Sequence, residues 1–287
     1  MSEHINTVVI GGGQAGLSAS WHLKRNGCEH VILDRGSIGD SWRRRWDSFC
    51  LVTPNWFCRL PGFPYDGDDP KGFMPRDQIV SYVERFAASF NPPCRNGVEV
   101  RRVSASGNGG RFALDTSDGE ITTDNLIVAT GPFQQPNIAA WAATLADDIV
   151  QIHSAEYRDS AQLPDGAVLV VGSGQSGCQI VEDLRIADRE VHLYVGKAGR
   201  FPRRYRGRDI VEWVHDIGMV DLPVDQHPEG RAIRFRPFPH LSGRAGGHTI
   251  DLRALALNGV KLHGRALGAD GHEIRFANDL AENLDAI

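Results

Sequence analysis

No two cysteines in this 287-residue chain are spaced for joint chemistry. The five present are Cys28, Cys50, Cys58, Cys94 and Cys178, and the nearest two lie eight positions apart. There is no C-x-x-C, so dithiol exchange and a zinc cluster are both disfavoured, and an odd, scattered set is no disulfide scaffold. Long apolar runs are missing as well. A stretch such as Ala167–Val171 is strand-sized, far short of the about 18 residues a membrane span needs. The start, MSEHINTVVI, lacks the basic region of a secretory signal, so the cytoplasm is the expected compartment. Lysine is scarce: of 31 basic residues only Lys24, Lys71, Lys197 and Lys261 are lysine. A formal charge of −5 argues against nucleic acid as the main partner. Neither G-x-S-x-G nor H-E-x-x-H occurs, which removes two hydrolytic classes, and no metal site is expected.

The composition, 41% hydrophobic and 23% charged, is that of a globular chain, and its length suits two domains. Ile5–Ile10 is apolar and β-branched, as a buried parallel strand requires. A helix is expected from Gln14 to about Arg25 and a strand over His30–Asp34, which closes a βαβ unit. Residues 36–75 read as irregular, and a loop that long is usually functional. Helical periodicity returns over Arg76–Phe90. Strand-like pieces follow at 98–103, 111–116, 119–122 and 126–129. After a proline-bearing connection, Ala167–Val171, a helix over 175–187 and a strand over 190–195 make a second βαβ unit. Further helices are expected near 208–217 and 249–257. A hairpin is expected over Val260–Phe276, with its turn near Asp270-Gly271, and then a terminal helix.

Each βαβ unit carries a glycine fingerprint. The first is Gly11-Gly-Gly13-Gln14-Ala15-Gly16. Its first glycine permits the turn out of the strand, its second lets backbone approach a pyrophosphate, and its third permits close helix–strand packing. Free N–H groups at the helix start then face the phosphates. Asp34, 18 residues after Gly16, stands where a carboxylate can accept hydrogen bonds from a ribose diol. The second fingerprint is Gly172-Ser-Gly174-Gln175-Ser176-Gly177. The position matching Asp34 falls on Val195 or Gly196, and Lys197 and Arg200 follow, with Arg203 and Arg204 beyond. A carboxylate would repel a 2′-phosphate and basic groups would pair with it, so this unit suits NADP rather than NAD. The run Arg200–Arg208 holds five arginines in nine positions, the alternative reading of which is a solvated face.

The fold class expected is therefore α/β, with two Rossmann-like dinucleotide-binding domains. At this point the chain resembles flavoproteins in which an NADPH domain is inserted after an FAD domain. Ala129-Thr130-Gly131 matches their second flavin-associated motif. Within that group the chain resembles the flavin-containing monooxygenases, and among them a bacterial flavoprotein branch. Trp42-Arg-Arg-Arg-Trp46, Thr53-Pro, Leu60-Pro-Gly62-Phe-Pro64 and Phe73-Met-Pro-Arg76 carry the likeness. The resemblance implies an FAD domain over 1–135, a connection over 136–159 and an NADP domain over 160–287. It implies that Arg35 and Trp42 border the FAD and that backbone at Val100 meets the adenine. Trp42, Trp46 and Trp56 could wall a flavin pocket, or could be ordinary core anchors.

The chain also departs from the pattern. Of the monooxygenase signature F-x-G-x-x-x-H and its following aromatic, His153 and Tyr157 match, while Asp147 and Ile149 stand in place of Phe and Gly. Asn55 is a candidate for contact with the flavin or nicotinamide edge, against an ordinary turn asparagine after proline. Relatives return to the FAD domain with a further strand, which is not found here, so the chain reads as shortened and its FAD domain as incomplete. The expected activity is hydride transfer from NADPH to FAD, followed by transfer of one oxygen atom of O2 to a small organic substrate. The alternatives are a reductase without oxygenation and a non-catalytic nucleotide-binding form.

Overall fold

The computed structural model describes residues 3–106, 111–197, 199, 201–235 and 240–285; Arg200 lies outside them. The chain divides into two compact units. One takes in the chain up to Arg45, Asn55–Pro70 and Met74–Pro136; the other takes in Trp46–Pro54, Lys71–Phe73 and the chain from Asn137 onward. The irregular stretch 36–75 is thus shared between the two.

The first unit is built on β1 (Glu3–Ile10), α1 (Gln14–Arg25), β2 (His30–Asp34), α2 (Arg76–Phe90), β3 (Cys94–Asn96), β4 (Val100–Ser106), β5 (Arg111–Thr116) and β6 (Gly119–Val128). They form one six-stranded sheet in the order β3-β2-β1-β6-β5-β4. The first four in that order are parallel, and β5 and β4 continue as an antiparallel meander. Both faces of the parallel part are covered, which is why β1 and β2 are apolar without alternation. Val8, Val31 and Leu33 pack into one cluster with Leu114 and Ile121. Val9 and Ile32 point the other way, onto Leu17 of α1 and Val83 and Phe86 of α2. Helix α2 ends where Asn91 turns left-handed at φ 47°, ahead of two prolines that cannot continue it.

The expected strands at 119–122 and 126–129 are one strand, β6. The polar pair Asp124-Asn125 breaks the apolar pattern but not the ladder, since Asn125 pairs with Thr7 of β1 and its side chain reaches the Asn6 carbonyl.

The second unit holds β7 (Val168–Val171), α3 (Gln175–Ile186), β8 (Val191–Tyr194), α4 (Ile210–Asp216), α5 (Leu252–Leu257), β9 (Lys261–His263), β10 (Ala266–Asp270), β11 (Glu273–Phe276) and α6 (Leu280–Asp285). Among the described residues its parallel sheet has three strands, in the order β9-β8-β7. Lys261–His263, expected as part of a hairpin, instead extends this sheet beside β8, and the hairpin is confined to β10 and β11. The core under the sheet gathers Cys178, Val181 and Leu184 of α3 with Val191, Leu193 and Val195, and Trp46 and Tyr157 join it. Among the described residues no helix is long and apolar enough to cross a membrane.

The strand registers place both glycine turns. Ile10 pairs with Leu33 and Val171 with Tyr194, so each turn leaves its first strand level with the end of its second. A helix must then start immediately over the strand it has just left. Gly16 and Gly177 allow this, because a Cβ on either would overlap the carbonyl oxygen of Gly11 or Gly172. We expect Gly177→Ala to destabilise the second unit by about 1–3 kcal/mol, the usual cost of overpacking a site that cannot yield. Urea unfolding followed by circular dichroism reads this directly, and an unchanged midpoint would show that the crossing is looser than described.

Candidate functional site

In the first unit the chain leaves β1 through Gly11 at φ 109°. Gly11 donates to the Leu33 carbonyl (2.8 Å), and its α-carbon faces Ala129 and Thr130. The glycine turn and the Ala129-Thr130-Gly131 segment, far apart in sequence, are therefore neighbours. Gly131 has φ 80°, and both Thr130 and Gly131 are exposed. Gly13 differs from its companions: its φ is −78°, and a Cβ there would meet nothing within 4 Å. Neither conformation nor any protein atom demands a glycine at that position. Open space over the N-terminus of a 12-residue helix is what a pyrophosphate on the backbone requires. Gln14 and Ala15, the first helical residues, are exposed, and N–H groups in a first turn have no partner within the helix.

Asp34 closes this turn from the side. Its carboxylate accepts from Gly12 N–H (2.5 Å) and from Gly36 N–H (2.8 Å), which fixes it at the end of β2. Two of its about four lone-pair sites are left for an outside donor. Arg35 is exposed. Trp42 is half-buried against the first unit's core, and Trp46 is buried in the second unit's core with Phe49. Val100 opens β4, half-buried and paired with Thr116.

Asn55 is 3% exposed. Its amide donates to the Asp69 carbonyl (2.9 Å) and accepts from Met74 N–H (2.7 Å), so both ends brace the loop. His153 accepts from Ala155 N–H in a local turn. Tyr157 is buried and donates to Asp183 (2.6 Å), whose carboxylate also accepts from Ser48 and Arg244. Burial and that carboxylate push the Tyr157 hydroxyl well above its ordinary range.

The second turn repeats the first with one inversion. Gly172 has φ 105°, and Gly174 has φ −73° with nothing within 4 Å of a Cβ. The cross-link between turn and second strand runs the other way, however. In the first unit a strand-end carboxylate accepts from the turn; here the turn's Ser173 hydroxyl accepts from Gly196 N–H (3.0 Å). A neutral group has replaced an anion. The cleft over this turn is about 360 Å³ and is lined by Gly172, Ser173, Gly174, Gln175, Tyr194, Gly196, Lys197 and His240. That volume is within the range of pockets that take drug-sized ligands. Lys197 is exposed at its edge, and Ser176 is half-buried in the first turn of α3. Gln175 is committed elsewhere, its amide gripping both the N–H and the carbonyl of Leu241.

Three other arginines of the basic run have partners away from the glycine turn. Arg203 is 1% exposed; it pairs with Asp209 (2.7 Å), donates to the Val52 carbonyl and lies 4.2 Å over the Phe73 ring. Arg208 pairs with Glu212 and Asp216, and Arg204 donates to the Gly246 carbonyl. Tyr194 and His240 were missed from sequence. Tyr194 reads as the last residue of a strand, and His240 sits in no motif. Only the fold brings His240, 66 residues after Gly174, to the turn.

All five cysteines are free. Burial pushes Cys50, Cys58 and Cys94 up to about 11, so none of the three is a ready thiolate at neutral pH.

Residues 8–215 match the model of the pyridine nucleotide-disulphide oxidoreductases. The chain belongs to that family. It is 39% identical to an uncharacterised CzcO-like oxidoreductase of Geobacillus kaustophilus over 78% of this chain, spanning 64% of that protein's length. It is 38% identical to the uncharacterised oxidoreductase CzcO of Bacillus subtilis over 94% of this chain and 76% of that protein. Among solved structures, a flavin-containing monooxygenase from Stenotrophomonas maltophilia superposes with a TM-score of 0.70 at 23% identity, covering 96% of this chain and 74% of that one. The fold is therefore that of a two-unit Rossmann-type flavoprotein. The family's name refers to disulphides, but the cysteines of this member offer no pair for such exchange.

Asn55→Ala would leave the buried Met74 N–H without its acceptor and remove the tie to the exposed Asp69 segment. The expected loss is about 1–3 kcal/mol of stability, with the ability to take up flavin per folded chain unchanged. Loss of flavin uptake without loss of stability would instead place the Asn55 amide at the flavin.

Proposed function

We propose that this chain is the two-nucleotide framework of an NADPH- and FAD-dependent monooxygenase acting on a small organic substrate. The observation that supports this most strongly is the repeated open space over Gly13 and Gly174, each closed beneath by a glycine that cannot carry a Cβ. A turn with only a structural role would not need a glycine at the open position. Residues 1–135 are assigned to FAD and 160–287 to NADPH, with 136–159 as the connection.

In this reading α1 and α3 present first-turn N–H groups to two pyrophosphates. The space over Gly13, the Asp34 carboxylate and the neighbouring Thr130-Gly131 backbone fit FAD, and Asp34 accepts from its ribose diol. Arg35, Trp42 and the Val100 backbone border that same nucleotide. In the second unit the cleft fits NADPH. Ser173 in place of an acid leaves no charge to repel a 2′-phosphate, and Lys197, with Arg200, pairs with it. FAD when bound supplies the hydride acceptance and the activation of O2; the protein supplies position and charge. The absence of a cysteine pair favours oxygen or a small acceptor over a disulfide as the electron sink.

The test is anaerobic addition of NADPH to the FAD-loaded chain, then admission of air with an oxidisable amine or sulfide present. Bleaching of the flavin bands followed by an oxygenated product supports the proposal. Bleaching with no oxygenated product from any substrate leaves a reductase, and failure to take up FAD leaves a non-catalytic nucleotide binder. Lys197→Ala should weaken NADPH by about tenfold, the worth of one hydrogen bond between charged groups, with little change for NADH. An equal loss for both would show that Lys197 does not meet the 2′-phosphate.

A further inference from the structure

The parallel sheet of the second unit has one face turned to the core. Val191, Leu193 and Val195 point into that core with α3. Alternation puts His192 and Tyr194 of β8 on the opposite face, where His192 meets His263 of β9. The Nδ1 of His192 and the Nε2 of His263 are 2.8 Å apart, and the two rings are parallel within 4° with centroids 5.0 Å apart. Both side chains are half-buried.

We propose that this histidine pair is an acid-released latch between β8 and β9, and that its release loosens the edge of the cleft over the second glycine turn. The latch stands on the pair itself, and only the ligand that senses it rests on the NADPH reading.

A contact of this length between ring nitrogens needs one donor and one acceptor. Two neutral rings satisfy it, and so does one cation beside one neutral ring. Two cations do not, because two N–H groups then face each other. The surrounding groups treat the two rings unequally. Glu190, just before β8, stands 3.5 Å from the outer nitrogen of His192, so a charge on that ring has a carboxylate beside it. Lys261 of β9 holds the same carboxylate. His263 has Phe276 of β11 stacked on its ring at 4.4 Å, with Tyr194 as its cross-strand partner. From β7 the residue paired with His192 is the apolar Leu169. Burial, then His192 and Lys261, hold the His263 imidazole below the ordinary histidine range. An opened His263 takes up its proton near the ordinary value of about 6.5, and the latched ring only at lower pH. Falling pH therefore favours the open form.

His263 is also the backbone partner of the strand end that edges the cleft. It pairs with Tyr194, and its carbonyl accepts from Val195 N–H (2.9 Å). The next residue, Gly196, donates to the Ser173 hydroxyl of the turn. Tyr194, Gly196 and Lys197 all line the cleft. Strand β9 is three residues long and pairs in this sheet with β8 alone, so its loosening is felt at that edge first.

The test compares the wild-type chain with His263→Gln at about pH 7.5 and about pH 5.5, either side of the ordinary histidine value. The glutamine amide can still bond to the His192 ring and takes up no proton. Urea midpoints read the latch, and calorimetric titration with NADP+ reads the cleft. The wild-type midpoint is expected to fall with acid, and the fall to be roughly halved in the variant. Across the same step NADP+ is expected to lose several-fold more affinity in the wild type than in the variant; titration of its own phosphate is common to both and cancels. Equal acid sensitivity of the two midpoints would overturn the latch. A midpoint difference with equal changes in NADP+ affinity would overturn its link to the cleft. Absence of NADP+ binding at either pH would overturn the NADPH reading, and the midpoints would still decide the latch. If His263→Gln does not fold, NMR titration of the wild-type rings decides. His263 titrating below about 6.5 supports the latch, and titration at or above that value overturns it.

Discussion

Both halves of this protein depend on one steric constraint, the close crossing of a helix over the strand that precedes it. At Gly16 and again at Gly177 the helix backbone lies so near the outgoing turn that a single methyl group would meet a carbonyl oxygen. That crossing sets where each helix begins. The helix start sets where its unpaired N–H groups point, and the open glycine beside them is left facing space. Binding chemistry is thus a consequence of packing. The contact that stabilises helix against strand also leaves open the helix start to which the proposed function assigns a phosphate.

The two cradles share geometry and differ in charge. In the first, Asp34 ties the end of β2 to the turn with a carboxylate. In the second, the same tie is made by the Ser173 hydroxyl to the Gly196 amide. Each tie satisfies a backbone N–H, so either serves the fold. They leave opposite electrostatic settings for whatever sugar lies alongside, one anionic and one neutral with Lys197 at its edge. Discrimination between a ribose diol and a phosphorylated ribose can arise from this substitution without rebuilding the unit. The buried Arg203–Asp209 pair has a different part, holding its own segment of the second unit beneath Phe73.

What the sequence made legible follows from how local each determinant is. Helices α1 and α2 and strand β2 fall where periodicity and punctuation place them, because Gly, Pro and apolar spacing act within a few residues. The glycine fingerprints were readable for the same reason. Long-range pairing was not. Lys261–His263 looks like half of a hairpin, and only the free edge of β8 makes it a parallel strand. The polar Asp124-Asn125 pair hid the continuity of β6. Arg203 reads as a surface cation, but Asp209 and Val52 draw it inside. Trp46 is close in sequence to Trp42 yet packs in the other unit's core. His240 carries no motif, and its place beside Gly174 exists only once the second unit has folded.

The central claim is that the two turns hold two different nucleotides at once. It is tested most directly by counting them: equilibrium dialysis of the whole chain against FAD and NADP+ together, with each nucleotide quantified per chain at saturation. The account predicts one FAD and one NADP+, neither displacing the other. A single nucleotide per chain, or competition between the two for one site, would contradict it.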